Sequence, residues 1–112
     1  MKPKKFEVKF LAEEVDFLDL LDDKARDKII YNITKAQFST NKELFKKLNE
    51  EIWEFRTLYQ SIPYRIFAFW DKSEKDRVLV ILTHGLIKKT EKTPKADLVK
   101  SQRLRNSYFE SK

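Results

Sequence analysis

At about Ile52 the hydrophobic period of this chain changes from 3.6 residues to 2, and the new period holds through three consecutive stretches. "IWEFRTLY" (Ile52–Tyr59), "PYRIFAFW" (Pro63–Trp70) and "RVLVILTH" (Arg77–His84) each alternate side chains in the manner of a half-buried strand. The links between them, "QSI" and "DKSEKD", leave no room for a crossover helix. Strands joined by such short links pair antiparallel, so the second half of the chain is a three-stranded meander.

Ahead of the meander the pattern is mixed. "KFEVKF" alternates Phe6, Val8 and Phe10 with charged residues and reads as a strand. "AEEVDFLDLLDD" then spaces Val15, Leu18 and Leu21 as one helix face, and "KARDKIIYNITKAQF" does the same with Ala25, Ile29, Ile33 and Ala36. Asp22 and Asp23 lie between them, placed to cap the second helix. "STNKELFKKLN" offers a cap at Ser39 to Asn41 and a short turn carrying Leu44 and Leu48. After the meander, "TPKADLVKSQRLRNSYF" reads as a last helix with Thr93 as N-cap and Pro94 in its first position. The expected order is β-α-α-β-β-β-α: an α+β fold over residues 1–112 as one domain, with the helices on one side of the sheet.

Composition narrows the function. The chain has no cysteine, which excludes disulfides and thiolate metal sites and fits a cytoplasmic protein. No apolar run approaches a membrane span, and the basic start "MKPKKFEVKF" has no long apolar core behind it, so neither a membrane anchor nor a signal peptide is expected. The formal net charge is +6, and eight Lys or Arg against three Asp or Glu fall between Leu86 and Lys112. A basic last quarter on a near-neutral body suits a polyanion such as nucleic acid, and it also suits a solvated helix face.

Register assigns the charges to faces. A two-residue turn at Gln60–Ser61 pairs Tyr59 with Ile62, Phe55 with Ile66 and Arg56 with Arg65. Trp53, Phe55, Thr57 and Tyr59 then share one face, with Glu54 and the two arginines on the other. Like charges opposite one another destabilise a strand pair, so something must offset them. Either Glu54 pairs with Arg56 while Arg65 reaches water, or the two guanidinium forks form an anion clamp. An even-length second loop would place Val78, Val80, Leu82 and His84 on the face of Arg65. His84 is the only histidine and Gly85 the only glycine; the glycine is expected to let "GLIKK" turn away from the sheet.

With these residues in view, "FKKL…IWEFR…YRIFAFW…ILTHGLIKKTEKTP" resembles the RelE/ParE superfamily of toxins from bacterial type II toxin–antitoxin modules, and within it the HigB-like, phage-related branch. The resemblance runs from about Phe45 into the last helix. Phe55 and Leu86 stand where leucine and phenylalanine are common, a mild departure. The resemblance implies a RelE-like fold and a ribosome-dependent mRNA endonuclease held silent by a small helix-turn-helix antitoxin. It places Arg56, Arg65, His84, Lys88 and Lys89 on functional positions, together with Glu54.

The chemistry of these residues suits metal-free RNA cleavage, in which the 2′-hydroxyl attacks the adjacent phosphate. Arg56, Arg65 and Lys89 would stabilise the developing charge. His84, an imidazole with an ordinary pKa near ~6.5, would carry a proton. Glu54 is read as an orienter of Arg56 first and as a base second, because the register puts it roughly 15 Å from His84. Lys88, Lys92 and Lys95 are expected to hold the RNA. A lone histidine and dispersed carboxylates form no metal-ligand set, so no metal or cofactor is expected. Two rival functions remain: a gyrase poison of the ParE kind that cuts no RNA, and a non-catalytic nucleic-acid-binding module. An apolar patch of Phe67, Phe69, Val78, Val80 and Leu82 is left partly uncovered by the last helix, and this patch or the adjoining helices are expected to receive a helical antitoxin segment.

Overall fold

The computed structural model describes residues 3–39, 41–74, 77–87 and 94–111, with the side chains at 13, 14, 74 and 77–81 outside that description. Its elements run β1 (Glu7–Phe10), α1 (Ala12–Asp19), α2 (Asp23–Phe38), β2 (Phe45–Lys47), β3 (Trp53–Tyr59), β4 (Ile62–Glu74), β5 (Arg77–Ile87) and α3 (Lys95–Glu110). They form an α+β domain around one five-stranded sheet of order β1-β5-β4-β3-β2. The meander is present as read: Tyr59 pairs with Ile62, Phe55 with Ile66 and Arg56 with Arg65. Gln60 and Ser61 both take positive φ, 51° and 65°, as a two-residue turn that follows the strand twist requires.

Two strands flank the meander. β1 lies parallel to β5, Val8 opposite Val80, so the chain crosses from one sheet edge to the other through α1 and α2. β2 occupies the segment read as a turn with Leu44 and Leu48. Phe45 pairs there with Phe55 and Lys47 with Trp53. The helical pattern of that segment is overridden by stacking: the Phe45 ring lies 4.2 Å from that of Phe55 at 17°, and such ring pairs add ~0.5–1.5 kcal/mol beyond their burial.

The helices do not share one side of the sheet. α1 and α2 cover the face of Phe55, Tyr64, Ile66, Ala68 and Leu82, where Phe6, Leu18, Ile29 and Ile33 complete a core. α3 covers the opposite face, where Leu98, Tyr108 and Phe109 pack on Ile52, Phe67 and Phe69. The reason is the sequence of β4 itself: Phe67 and Phe69 alternate with Ile66 and Ala68, so the strand is apolar on both faces, and all four residues are at most 1% exposed. A central strand of this kind must be covered twice. Phe67, Phe69 and Leu82 are thus interior residues rather than the uncovered patch expected. Among the described residues, exposed apolar side chains stand on α1, α2 and their junction, at Val15, Leu20, Ile30 and Tyr31, and also at Phe10, Leu58, Ile62, Ile87 and Val99.

The Asp22 carboxylate accepts from the Ala25 backbone N–H at 2.9 Å and caps α2. In α3 the N-cap position falls on Pro94, one residue later than expected, and Lys95 begins the helix; Thr93 lies outside the described residues.

Candidate functional site

A β-bulge positions the only histidine. Ile66 pairs with Gly85 and Ala68 with Leu82, so Thr83 and His84 together stand opposite the single residue Phe67. The extra residue reverses the alternation along β5. Leu82 therefore joins the core under α1 and α2, contrary to its expected place beside Arg65, while His84 points to the α3 side and stacks on Phe67 at 4.8 Å. Gly85 serves this geometry differently from the expected turn. β5 continues to Ile87 and Gly85 has no positive φ. Its value is its missing side chain, because a Cβ at 85 would overlap the Phe17 ring of α1.

On the α3 face the site forms two rows across the strands. The outer row holds Arg56, Arg65 and Leu86, and the inner row holds Glu54, Phe67 and the bulge with His84. The Arg65–Leu86 and Ile66–Gly85 register removes the offset expected between Glu54 and His84. They lie level, two strand spacings or roughly 10 Å apart, with Phe67 between them.

Glu54 is the hub of the outer charges. Its Oε1 lies 3.6 Å from Arg56 Nε and 3.6 Å from Arg65 Nε, and its side chain is only 2% exposed. One carboxylate therefore offsets the like-charge pair and serves both arginines, where the sequence offered it to Arg56 alone. Arg65 also donates from Nη1 to the Tyr64 carbonyl at 3.1 Å. The shared ion pairs with Glu54, and for Arg65 the bond to Tyr64 as well, position the guanidiniums before any ligand arrives, which reduces the ordering cost of binding. Both line a depression of about 460 Å³ at the β3–β4 end of the sheet, with Thr57, Leu58, Pro63 and Asn32 on its walls. The Asn32 amide donates to Thr57 Oγ1 at 3.2 Å and fixes α2 against that rim.

His84 is enclosed. Its side chain is 5% exposed, and its Nε2 lies 3.1 Å from Asp97 Oδ1 in the first turn of α3. A carboxylate only accepts, so Nε2 carries the hydrogen and donates. Nδ1 lies 3.1 Å from Thr83 Oγ1, which itself donates to the Phe67 carbonyl at 3.1 Å. Asp97 and Thr83 were missed in the sequence. An acidic residue in a first helical turn reads simply as a complement to the helix dipole, and a bulge leaves no mark in the alternation pattern. Further along, α3 is tied down by Gln102 and Arg105 to Glu51 and by the Tyr108 hydroxyl donating to Asp71 Oδ2 at 2.6 Å.

Of the residues nominated from sequence, Arg56, Arg65 and Glu54 converge, and His84 stands beside them across Phe67. Lys95 is exposed at the start of α3. Lys88, Lys89 and Lys92 lie outside the described residues. Among the described residues no three His, Asp or Glu side chains gather into a metal-binding group, and no helix is long and apolar enough to cross a membrane.

A family model for the phage-derived Gp49-like proteins (DUF891) matches residues 16–106. It takes in α2, the whole meander and most of α3, and the chain belongs to this family. The family is RelE-toxin-like and is associated with the toxins of toxin–antitoxin modules. No curated protein matches the chain.

Proposed function

We propose that the chain is the toxin of a type II toxin–antitoxin module, of the HigB-like branch, and that it cleaves mRNA on the ribosome. The observation that carries this reading is the pair of arginines on adjacent strands, both anchored on buried Glu54 and both lining an open depression. Two preset guanidinium forks suit a phosphodiester, whose charge rises as the 2′-oxygen attacks. The family match and the net charge of +6 support the same reading. Arg56 and Arg65 hold the phosphate and stabilise the transition state, Glu54 orients them, and the His84–Asp97 pair manages the proton. Lys89 adds charge at the phosphate, and Lys88, Lys92 and Lys95 hold the RNA backbone. The reaction uses the RNA's own hydroxyl and is assigned no metal or cofactor. The partner is a helix-turn-helix antitoxin, for which the exposed apolar residues on α1 and α2 supply a surface.

Induced expression in bacteria tests the reading. Growth should stop, mRNA should be cut within codons, and co-expression of the product of an adjacent helix-turn-helix gene should restore growth. Broken DNA with intact mRNA would mark a gyrase poison instead. Normal growth at high levels of soluble protein would contradict the toxin assignment altogether.

A further inference from the structure

We propose that Asp97 is the group that accepts the 2′-hydroxyl proton, with His84 behind it as a positioning residue; this rests on the endonuclease reading above. The sequence offered Glu54 and His84 as proton carriers, and the structure encloses both. Glu54 is 2% exposed and bracketed by the two arginines, which leaves a ribose no approach to it. His84 is 5% exposed and stacked on Phe67, with Nε2 bound to Asp97 and Nδ1 facing Thr83 Oγ1. Asp97 is the outer member of that chain. Its side chain is 25% exposed, and its Oδ1 is taken up by His84 Nε2. Among the described residues its second oxygen makes no hydrogen bond. Leu86, two residues beyond His84 on β5, pairs with Arg65. The Cα atoms of His84 and Arg65 are therefore roughly 8 Å apart, one strand spacing and two residues. A nucleotide can span that gap with its phosphate on the arginines and its ribose at Asp97.

The step balances without a further reactant. The 2′-hydroxyl proton passes to Asp97, and the oxygen lone pair forms the new bond to phosphorus. The bond from phosphorus to the 5′-oxygen breaks, its electron pair leaves with that oxygen, and water protonates it. Asp97 returns its proton to solvent. The products are a 2′,3′-cyclic phosphate and a 5′-hydroxyl end. The hydrogen bond from His84 fixes the carboxylate rotamer, and Thr83 and Phe67 fix His84. Preorganisation of this kind is what a base needs beyond its own chemistry.

Single-turnover cleavage of mRNA on programmed ribosomes tests the assignment. Asp97→Asn keeps the size and the acceptor oxygen that faces His84, so α3 should stay docked. It should slow cleavage by ~10²–10⁴ at saturating ribosomes with binding unchanged. Asp97→Glu should recover part of the rate. His84→Gln should lose less than Asp97→Asn. An RNA with sulfur in place of the 5′-leaving oxygen needs no acid, so the Asp97→Asn defect should persist on it. Rescue by the sulfur substrate would make Asp97 the acid and overturn the proposal, as would an Asp97→Asn variant within about threefold of the parent. If the Asn variant proves unstable, a folded Asp97→Glu protein decides: cleavage supports the carboxylate, and its loss contradicts it. Intact mRNA with the unaltered protein overturns the endonuclease reading and this step with it. Cleavage by the unaltered protein and Asp97→Asn alike overturns Asp97 alone.

Discussion

Two hollows of similar size and different chemistry lie along β3, one on the α2 face and one at the rim where the two faces meet. Under the end of α2, about 440 Å³ is walled by Phe6, Phe45, Trp53 and Trp70. At the β3–β4 end, about 460 Å³ is bounded by Arg56 and Arg65. Alternate residues of the seven-residue β3 face opposite ways, so the strand supplies Trp53 and Phe55 to the first face and Glu54 and Arg56 to the second. The first face gains its stability from rings packed on rings, with Phe55 2% exposed among Phe6, Phe45 and Ile66. The second spends buried volume on a carboxylate and two guanidiniums, an arrangement that well-packed apolar residues would commonly match or better in stability. A fold that keeps it is holding those groups for something other than stability.

Substitutions on the two faces should therefore fail in different ways. Phe55→Ala should be the most damaging to the fold, lowering the unfolding free energy by ~3–5 kcal/mol, because it removes a stacked, buried ring and leaves a cavity. Chemical denaturation would show this, and a loss below about 1 kcal/mol would mean that the aromatic face is loosely packed. Gly85→Ala probes where the faces meet. The new methyl enters the Phe17 ring, and overpacking of that kind costs ~1–3 kcal/mol. A melting curve unchanged from the parent would show that α1 moves aside freely. Lys95→Ala should have the smallest effect. The residue is exposed, so stability should hold while ribosome binding weakens slightly, with the salt dependence shallower by ~0.7–0.9 in log–log slope. An unchanged slope would remove Lys95 from the RNA contacts.

What could be read in the sequence follows the same division. The meander and the faces of Arg56 and Arg65 were legible because period 2 with an even-length turn keeps the charges off the aromatic face, and the two-residue turn then sets Arg56 opposite Arg65. β2 was not legible, since three residues are too few to show a period and "FKKL" also fits a helical turn. The placement of α3 was hidden for another reason: Phe67 and Phe69 were assigned to the correct face, but that face was taken for a docking patch rather than the seat of the last helix. The bulge at Thr83–His84 was invisible, and it carried the largest consequence. One extra residue moved Leu82 to the core, while the register beyond it brought His84 level with Glu54.

Arg65 tests the central claim most directly, because it belongs to the charged row and touches little of the aromatic face. Single-turnover mRNA cleavage on programmed ribosomes should fall by ~10²–10³ in Arg65→Ala, the usual loss for one preset charge donor. Arg65→Lys should recover little of it, since a point charge cannot replace the fork. The melting temperature should fall less than in Phe55→Ala, because Arg56 still pairs with buried Glu54. Near-parental cleavage by Arg65→Ala, or a melting temperature lowered as far as that of Phe55→Ala, would contradict the account and make the arginine pair part of the scaffold.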